Sequence, residues 1–486
     1  MIDFASYEIV VGLEVHARLL TASKLFCADS NQYGAAPNTN VSPITLGHPG
    51  TLPRLNKKAV ELAVKMGLAC QCQINRENYF ARKNYFYPDL PKGYQISQQT
   101  VPICSNGFVP ITVEDKQKNI RLHRIHLEED AGKSLHDVDE KYSCIDYNRA
   151  GTPLIEIVTE PDIRSSEEAY AFVNEIRKLV RYLDVCDGNM EEGSLRCDVN
   201  ISVRPKGSHL LGTRVEIKNL NSVRHVKKAI ETEAERLIHK IEAGHSIIQE
   251  TRSFDVQIGT THPIREKENE DDYRYFPDPD LPPLHLQESF IKNIRNEMPV
   301  LPQERIKKYM IDWQLSDYDA TLITEEKAFA DYFEQVILHT KNYKAAANWM
   351  LGPVKSWLNE QKKDIDALPI LPEKLASVIQ LIDEGKVNFS IASTAIFPQL
   401  LQNPSLSAAE IAQKQDLLQD SDMSSIEPVI DEILNTFADK VSAYQKGKKG
   451  LLAFFVGQVM KKTNGKADPQ LTNTILLEKL NHYTKK

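Results

Sequence analysis

The periodicity of the apolar residues changes once along the chain, near residue 290. Before this point, short segments alternate apolar and polar residues, which is typical of β-strands that bury one face. From about Pro299 onward, apolar residues recur at every third or fourth position, which is typical of amphipathic α-helices. The proline-rich segment 276–284 separates the two parts, because proline has no backbone N–H for a strand or helix ladder. The chain therefore cannot fold as one all-β or all-α domain.

Two helices are predicted inside the strand-rich part. The first begins at Ser165 or Ser166, where Ser165 and Glu168 have the spacing of a capping box. The second covers about residues 223–243 and carries an apolar stripe at helical intervals. Because these helices and the strands do not alternate strictly, the sequence predicts an α+β domain with mixed or antiparallel strand pairing.

The length of the chain indicates about three domains, since 486 residues are shared among domains of roughly 150 residues each. We place them at residues 1–293, 294–403 and 404–486, the last two being all-α. The final region opens with a second capping-box pattern, from Ser407 to Glu410.

The charge of the last region is polarised. Residues 407–439 hold eight acidic residues and one basic residue, whereas residues 441–486 hold nine basic residues and two acidic ones. Two solvated helix faces of opposite sign are one interpretation. The other is that the basic end binds a polyanion such as RNA.

Several classes of protein are excluded by simple features. The net charge of −8 describes a mildly acidic protein, and no apolar run approaches the roughly 18 residues of a membrane span. The N-terminus carries acidic rather than basic residues before its apolar stretch, so we expect no secretory signal and a cytoplasmic location. The seven cysteines are odd in number and scattered over the first 200 residues, so we expect free, buried thiols in a reducing compartment.

The alternation of the strands places acidic side chains on single faces of four predicted strands. Glu14 and His16 are two residues apart and therefore point the same way. Glu156, Asp198 and Glu216 each oppose the apolar residues of their own strand. A further segment, HRIHLEEDAGKS, adds an acidic run made of Glu128, Glu129 and Asp130.

Convergence of these carboxylates in one cavity would require a cation, because their mutual repulsion otherwise raises their pKa values. Mg²⁺ and Mn²⁺ accept carboxylate oxygens with an occasional imidazole, and magnesium held by acids commonly accompanies a nucleoside triphosphate. The sequence contains no P-loop, no G-x-G-x-x-G after a strand and no G-x-S-x-G elbow. Those nucleotide sites and nucleophilic hydrolysis are therefore excluded.

Long segments of the chain resemble one family, the B subunits of the tRNA-dependent amidotransferases of the GatCAB type. They cover essentially the whole chain and are, in order, VVGLEVHARL, GHPGTLPRLN, FARKNYFYPDLPKGYQISQ, HLEEDAGKS, DYNRAGTPLIEIVTEPDIRS, MEEGSLRCDVNISVRP, EIKNLNSVRHV, QETRSFD, DDYRYFPDPDLPPL and AFFVGQVMKKTNGKADPQLTN.

The resemblance implies an N-terminal cradle domain similar to the glutamine synthetase and guanidino kinase fold, with an antiparallel sheet whose concave side carries acids. It implies ATP- and Mg²⁺-dependent phosphorylation of the side-chain carboxyl of Glu-tRNA(Gln) or Asp-tRNA(Asn). Ammonia released from glutamine by a separate amidase subunit then displaces the phosphate. The implied partners are this amidase (A) subunit, a small C subunit and the misacylated tRNA, with no membrane.

The resemblance also implies roles for individual side chains. The metal ligands would be Glu14, His16, Glu129, Glu156, Asp198 and Glu216. The cations near phosphate would be Arg149, Arg196 and Lys218. The catalytic residues would be Glu129, Lys218, Arg196 and Lys83, the last lining the path of ammonia near the partner interface. Structural salt bridges are the alternative role for these lysine and arginine residues.

The sequence departs from the family at a zinc site that many members carry as four cysteines. Here the corresponding positions are Cys27, Asp29, Ser42 and Thr45, so only one thiolate is left and we predict no zinc.

Two other functions are compatible with parts of the sequence. A non-catalytic tRNA-binding scaffold would position the substrate for its partner, but it has no reason to concentrate acids where it meets RNA. A free-standing ligase that amidates a small acid would not need the long helical part with its basic end. The resemblance favours the enzyme, and it favours tRNA as the polyanion that the basic end binds.

Overall fold

A 13-stranded mixed sheet dominates the first part of the chain, and helices form the rest. The computed structural model describes residues 4–266, 273–418, 423–463 and 466–482. The chain divides into two units, Met1–Leu301 and Pro302–Lys486. The predicted α+β class is confirmed, whereas the division into three domains stays a prediction.

Two further features concern the chain as a whole. Within the described ranges, no helix combines the length and the apolar character that crossing a membrane requires. All seven cysteines are free thiols, as predicted, but only five are buried, since Cys27 and Cys144 are half-buried.

The strands of the described residues are mostly short. They are β1 (Tyr7–Arg18), β2 (Gln73–Ile74), β3 (Glu77–Asn78), β4 (Ala81–Asn84), β5 (Tyr94–Ser97), β6 (Cys104–Ser105), β7 (Phe108–Val113), β8 (Lys116–Glu129), β9 (Lys133–Leu135), β10 (Cys144–Asp146), β11 (Pro153–Thr159), β12 (Leu195–Pro205), β13 (Val215–Leu220), β14 (Glu250–Asp255), β15 (Thr260–Glu266), β16 (Phe276–Pro277) and β17 (Leu284–His285).

The α-helices of the first unit are α1 (Lys57–Ala69), α2 (Ser166–Tyr182), α3 (Val223–Glu242) and α4 (Glu288–Asn296). Helices α2 and α3 are the two that the sequence predicts. At the start of α2, the Ser165 hydroxyl accepts a hydrogen bond from the backbone N–H of Glu168 at 3.1 Å. The Glu168 carboxylate accepts instead from the N–H of Arg164, so only half of the predicted capping box forms.

The main sheet has the strand order β15-β14-β13-β12-β1-β11-β8-β5-β4-β16, with β2, β6 and β7 attached beside this path. Strands β13 and β14 are parallel, and the other neighbours along the path pair antiparallel. Two small sheets pair β9 with β10 and β3 with β17. The long strands β8, β11, β1, β12 and β13 therefore lie side by side and form a continuous surface.

Strand β1 shows how this surface separates core from cavity. Val11, Leu13 and Val15 are at most 1% exposed and belong to the same apolar core as residues of α1, α2 and α3. The alternate residues Glu14 and His16 point to the other face, because successive side chains of a strand point in opposite directions. The helices thus cover one face of the sheet and leave the polar face open.

The second unit is helical in its described residues. Its α-helices are α5 (Pro302–Asp312), α6 (Asp317–Ile323), α7 (Lys327–Ile337), α8 (Tyr343–Trp349), α9 (Lys355–Gln361), α10 (Pro372–Asp383), α11 (Phe389–Ile391), α12 (Phe397–Gln402), α13 (Ala408–Lys414), α14 (Met423–Thr436), α15 (Ala438–Gln445), α16 (Leu451–Lys462) and α17 (Pro469–His482). Helices α5–α10, α12 and α13 share one apolar core, and α14–α17 share another.

Replacement of Ser407 with alanine is expected to destabilise the second unit by about 1 kcal/mol, the usual contribution of an N-cap side chain. The predicted capping box is complete here: the Ser407 hydroxyl accepts from the N–H of Glu410, whose carboxylate accepts from the N–H of Ser407 at 2.8 Å. Calorimetric unfolding measures the effect, with the exposed neighbour Ser405→Ala as the control. Equal unfolding temperatures in both variants would contradict the assignment.

Candidate active site

A cavity of about 880 Å³ opens on the polar face of the sheet. Its lining comes from the long strands β8, β11, β1, β12 and β13, together with aromatic residues of segments 85–87 and 273–275. The register of the strands decides which side chains meet there. His16 on β1 lies between Glu156 on β11 and Arg196 on β12, and Glu156 in turn faces His126 on β8.

The first group of convergent side chains consists of His16, Glu128 and Glu156. Their candidate ligand atoms lie within 4.8 Å of one another. The His16 Nε2 atom is 3.4 Å from Oε1 of Glu128 and 3.4 Å from Oε2 of Glu156. The Nε2 atom of His126 is 3.2 Å from the same Oε2 atom, so two imidazoles share one carboxylate.

The second group consists of Glu14, Asp198 and Glu216, whose ligand atoms also lie within 4.8 Å of one another. The Lys218 ammonium is 3.1 Å from Asp198 Oδ2 and 3.2 Å from Glu216 Oε1. The Thr251 hydroxyl, on the parallel neighbour β14, donates a hydrogen bond to Glu216 Oε2 at 2.9 Å. One ammonium and one hydroxyl therefore hold two of the three carboxylates.

The two groups differ in their electrostatics. Burial, followed by the nearby Glu156 carboxylate, raises the pKa of Glu14 above its usual range. Burial alone would also raise the pKa of Glu156, but the charges of His16 and His126 hold it well below its usual range. Burial lowers the pKa of His16, yet Glu156 and Glu128 outweigh this effect and raise the pKa to about 9. The second group is thus the one whose negative charge is less well offset.

Both groups fit a hard divalent cation. Carboxylate oxygens with an occasional imidazole are the donors that Mg²⁺ and Mn²⁺ take in proteins. Beside the second group, Asn200 donates from Nδ2 to Glu14 Oε1 at 2.8 Å, while its buried Oδ1 atom has no hydrogen-bond partner among the described residues. A buried amide oxygen without a partner is costly, and a cation at this position would satisfy it.

Glu129 lies where the sequence prediction did not place it. Adjacent residues of a strand point to opposite faces, so Glu128 enters the cavity and Glu129 does not. The Glu129 carboxylate forms an ion pair with Lys92 and accepts a hydrogen bond from the N–H of Ile96 at 2.9 Å. Glu128 thus belongs to the first group and Glu129 does not, and the assignment of Glu129 as a ligand and catalytic residue stays a prediction.

The cations that were expected near phosphate are engaged by protein groups. Arg196 lines the cavity, but its Nη2 atom donates to Asp130 Oδ2 at 2.9 Å. Lys218 bonds the second group as described above. Arg149 donates to the carbonyl oxygens of residues 131 and 132, at 3.0 and 2.7 Å. A contact of these three side chains with phosphate stays a prediction.

Lys83 lies on the aromatic side of the cavity. Its ammonium is 4.7 Å from the centre of the Tyr273 ring and 5.8 Å from that of Tyr85. Such positions favour a cation, because the face of an aromatic ring carries negative potential. Whether Lys83 lines a path for ammonia stays a prediction.

The four positions that correspond to the zinc cysteines lie together in space. The Thr45 hydroxyl donates to Asp29 Oδ2 at 2.5 Å and lies 3.3 Å from the Cys27 sulfur. The backbone N–H of Ser42 donates to the same oxygen of Asp29 at 2.8 Å. The Asp29 carboxylate thus accepts hydrogen bonds from Ser42 and Thr45 and connects the two ends of this loop. The absence of zinc stays a prediction.

The sequence analysis assigned no role to three residues of the cavity, although each lies in a segment that it quotes. Glu128 and His126 could have been found, because the alternation along β8 puts them on the same face of the strand. Thr251 could not have been found, since its contact with Glu216 depends on the parallel pairing of β13 and β14, which sequence periodicity does not reveal.

The chain matches two family models. Residues 9–292 match the model described as the GatB/GatE catalytic domain, and residues 331–480 match the one described as the GatB domain. The two groups of acids lie entirely within the first match.

Relatives align with the chain over nearly its full length, and three of them are each named as the B subunit of an aspartyl/glutamyl-tRNA(Asn/Gln) amidotransferase. The protein of Thermodesulfovibrio yellowstonii is 49% identical over 97% of this chain and 99% of its own. That of Thermosynechococcus vestitus is 47% identical over 99% and 98%. That of Geobacter sulfurreducens is 49% identical over 98% and 99%.

Proposed function

The chain belongs to the family of the B subunits of aspartyl/glutamyl-tRNA(Asn/Gln) amidotransferases, and we propose that its cavity activates a carboxyl group carried by tRNA. The chain is thereby part of a carbon–nitrogen ligase that makes Gln-tRNA(Gln), Asn-tRNA(Asn) or both. The convergence of two groups of carboxylates in one cavity is the observation that carries the proposal.

The chemistry of the reaction explains why the substrate carboxylate has to be activated. A carboxylate is a poor acyl electrophile, because it is negatively charged and has no good leaving group. In the first step, an oxygen of the side-chain carboxylate on Glu-tRNA(Gln) or Asp-tRNA(Asn) attacks the γ-phosphorus of ATP. The bond to the bridging oxygen breaks and ADP leaves. In the second step, ammonia attacks the acyl carbon, the carbon–oxygen bond to the phosphate breaks, and phosphate and a proton leave.

The two groups of acids are proposed to hold Mg²⁺, one group with Glu14, Asp198 and Glu216 and the other with His16, Glu128 and Glu156. When bound, Mg²⁺ offsets phosphate charge during the transfer. The protein's own contribution is to hold the carboxylates in position, since carboxylates fixed by neighbouring hydrogen bonds bind a metal without further ordering. His126 and Thr251 do this from opposite sides of the cavity.

Lys218 supplies a permanent positive charge at the second group. Burial lowers the pKa of Lys218, but Asp198 and Glu216 outweigh it and raise the pKa above its usual range. The ammonium therefore stays protonated at neutral pH. Arg196 is held in the cavity by Asp130 in the same manner, and both cations are proposed to orient anionic substrate groups. Lys83 is proposed to line the entry of ammonia.

The partners follow from the name of the relatives, which describes one subunit of an assembly. We propose that an amidase (A) subunit supplies ammonia from glutamine, that a small C subunit completes the complex, and that it acts in the cytoplasm, where aminoacyl-tRNA is consumed.

The basic end of the chain is proposed to contact tRNA. Some of its lysines already form ion pairs with acidic residues of segment 407–439. The pairs are Lys462–Glu432, Lys466–Asp416 and Lys479–Asp431. Others lie close together in sequence and are exposed, namely Lys446, Lys448 and Lys449. Exposed lysines of this kind bind the phosphate backbone without reading its sequence.

Replacement of Asp198 with asparagine is expected to reduce product formation by at least about 100-fold, because it removes one charge from the second group and one of the two carboxylates that pair with Lys218. The assay uses the complex with its partner subunits, ATP, Mg²⁺ and Glu-tRNA(Gln), with ammonium chloride in place of glutamine. It follows ADP and Gln-tRNA(Gln) together. tRNA affinity should stay close to that of the wild type.

The same assay separates the rival functions. Asp137→Asn, on an exposed loop, is the matched control and should behave as wild type. A fully active Asp198→Asn variant would place activation on another chain and leave this one as a scaffold. Amidation of free glutamate at the rate seen with Glu-tRNA(Gln) would instead indicate a ligase for small acids.

A further inference from the structure

Arg124 on strand β8 lines the same cavity, although the sequence analysis assigned no role to it. The register places it close to the acids. Val158 on β11 pairs with Glu14 on one side and with Arg124 on the other. With strands about 4.8 Å apart, the backbones at Arg124 and Glu14 are about 10 Å apart. Arg124 also shares the cavity face of β8 with His126 and Glu128.

The guanidinium of Arg124 is only partly used by the protein. Its Nη1 atom donates to the carbonyl oxygen of Gln99 at 3.1 Å. Its Nε atom is buried and has no hydrogen-bond partner in the part of the chain that the structure describes. Among the residues that the structure describes, no carboxylate forms an ion pair with it, in contrast to Arg196 and Lys218 in the same cavity.

The unused edge of this guanidinium has a defined chemistry. Nε and Nη2 form the edge with which arginine binds an oxyanion through two parallel hydrogen bonds. An N–H that is removed from water and left unpaired is unfavourable, and an oxyanion at this edge would remove that penalty. Among the described residues, the neighbouring carboxylates of Glu156 and Glu128 contact His126 and Ser97, which leaves this edge to an oxyanion of the substrate.

We propose that Arg124 binds the terminal phosphate of the nucleotide, the group that is transferred to the substrate carboxylate. The inference rests on the proposed function and adds a residue to it. The phosphate has to lie beside the acids that hold Mg²⁺, and Arg124 is on the same surface one strand beyond Val158. A guanidinium in this position stabilises the charge that spreads over the phosphoryl oxygens during transfer.

The test measures nucleotide and tRNA binding to the assembled complex in the presence of Mg²⁺. The probes are the non-hydrolysable ATP analogue AMP-PNP, ADP and deacylated tRNA(Gln). Arg124→Gln is expected to weaken AMP-PNP binding about 10- to 100-fold, as expected for loss of a charged hydrogen bond. ADP, which has no terminal γ-phosphate, and tRNA should bind nearly as in the wild type. Arg124→Lys should fall in between, because a lysine keeps the charge but not the two parallel bonds.

Two comparisons exclude a purely structural role. Arg121→Gln, on the same strand but paired with Asp162 outside the cavity, is the matched control and should bind AMP-PNP normally. In Arg124→Ala, added guanidinium chloride at concentrations that do not unfold the complex should restore part of the activity, whereas sodium chloride should not.

Unchanged AMP-PNP binding in Arg124→Gln would overturn the inference, and so would a variant that loses tRNA binding while keeping AMP-PNP affinity. The second result would assign Arg124 to the tRNA backbone. A wild-type complex that forms no ADP with either Glu-tRNA(Gln) or Asp-tRNA(Asn) would instead refute the proposed function, so the two failures are distinguishable.

Discussion

Replacement of Glu156 with glutamine is expected to reduce the formation of Gln-tRNA(Gln) by about 1000-fold or more, with ammonium chloride as well as with glutamine. Glu156 is the carboxylate that both imidazoles of the first group share, at 3.4 Å from His16 and 3.2 Å from His126. An amide cannot supply its charge. Losing the contribution of a bound metal, several kcal/mol of transition-state stabilisation, corresponds to about three powers of ten in rate.

A second readout separates loss of the metal from loss of the fold. Mn²⁺ binding to the complex, followed by calorimetry or paramagnetic relaxation, should weaken strongly in Glu156→Gln while the unfolding temperature without metal changes little. Glu160→Gln is the matched control, because Glu160 follows β11 directly and pairs with His123 at the protein surface. If Glu156→Gln kept normal Mn²⁺ affinity, the first group would not be a metal site, whatever happened to the activity.

Much of this site could be predicted from the sequence because strand periodicity fixes the direction of side chains. Glu14, His16, Glu156, Asp198 and Glu216 were each placed on the polar face of a strand, and all five line the cavity. Their convergence could not be derived in this way, since it depends on the order of the strands. The sheet brings β1, β11, β12 and β13 together although residues 19–152 separate the first two in the chain.

The features of the fold that depend on local patterns could likewise be predicted from the sequence. Helices α2 and α3 and the capping box at Ser407 follow from local patterns, and all three are present. The parallel pairing of β13 with β14 does not follow from local patterns, so the contact of Thr251 with Glu216 was beyond reach. The capping box predicted at Ser165 is incomplete, because the Glu168 carboxylate bonds Arg164 and Lys118 rather than the N-cap residue.

For Glu128 and Glu129, the family resemblance and the alternation of the strand lead to different assignments of the metal ligand. Both lie in the same acidic run, and the resemblance alone selected Glu129. Alternation along β8 selects Glu128 instead, because Glu128 lies two residues after His126 on the face that lines the cavity. The two carboxylates differ in their contacts, since Glu128 faces His16 whereas Glu129 pairs with Lys92. Substitution of these two neighbouring residues should therefore have different consequences, on metal binding for Glu128 and on stability for Glu129.

Glu128→Gln is expected to weaken Mn²⁺ binding about 10- to 100-fold, as for loss of one member of a metal site, and to leave the unfolding temperature without metal nearly unchanged. Glu129→Gln should lower the free energy of unfolding by about 3 kcal/mol, because it leaves the Lys92 ammonium with no carboxylate at a largely buried position. Its effect on Mn²⁺ binding to the folded protein should be small. Because each variant serves as the other's control, the two measurements on both proteins decide the assignment. The contradicting result would be loss of metal binding in Glu129→Gln with no loss of stability, together with normal metal binding and stability in Glu128→Gln. The ligand would then be Glu129, and the directions of these two side chains on β8 would have to be reversed.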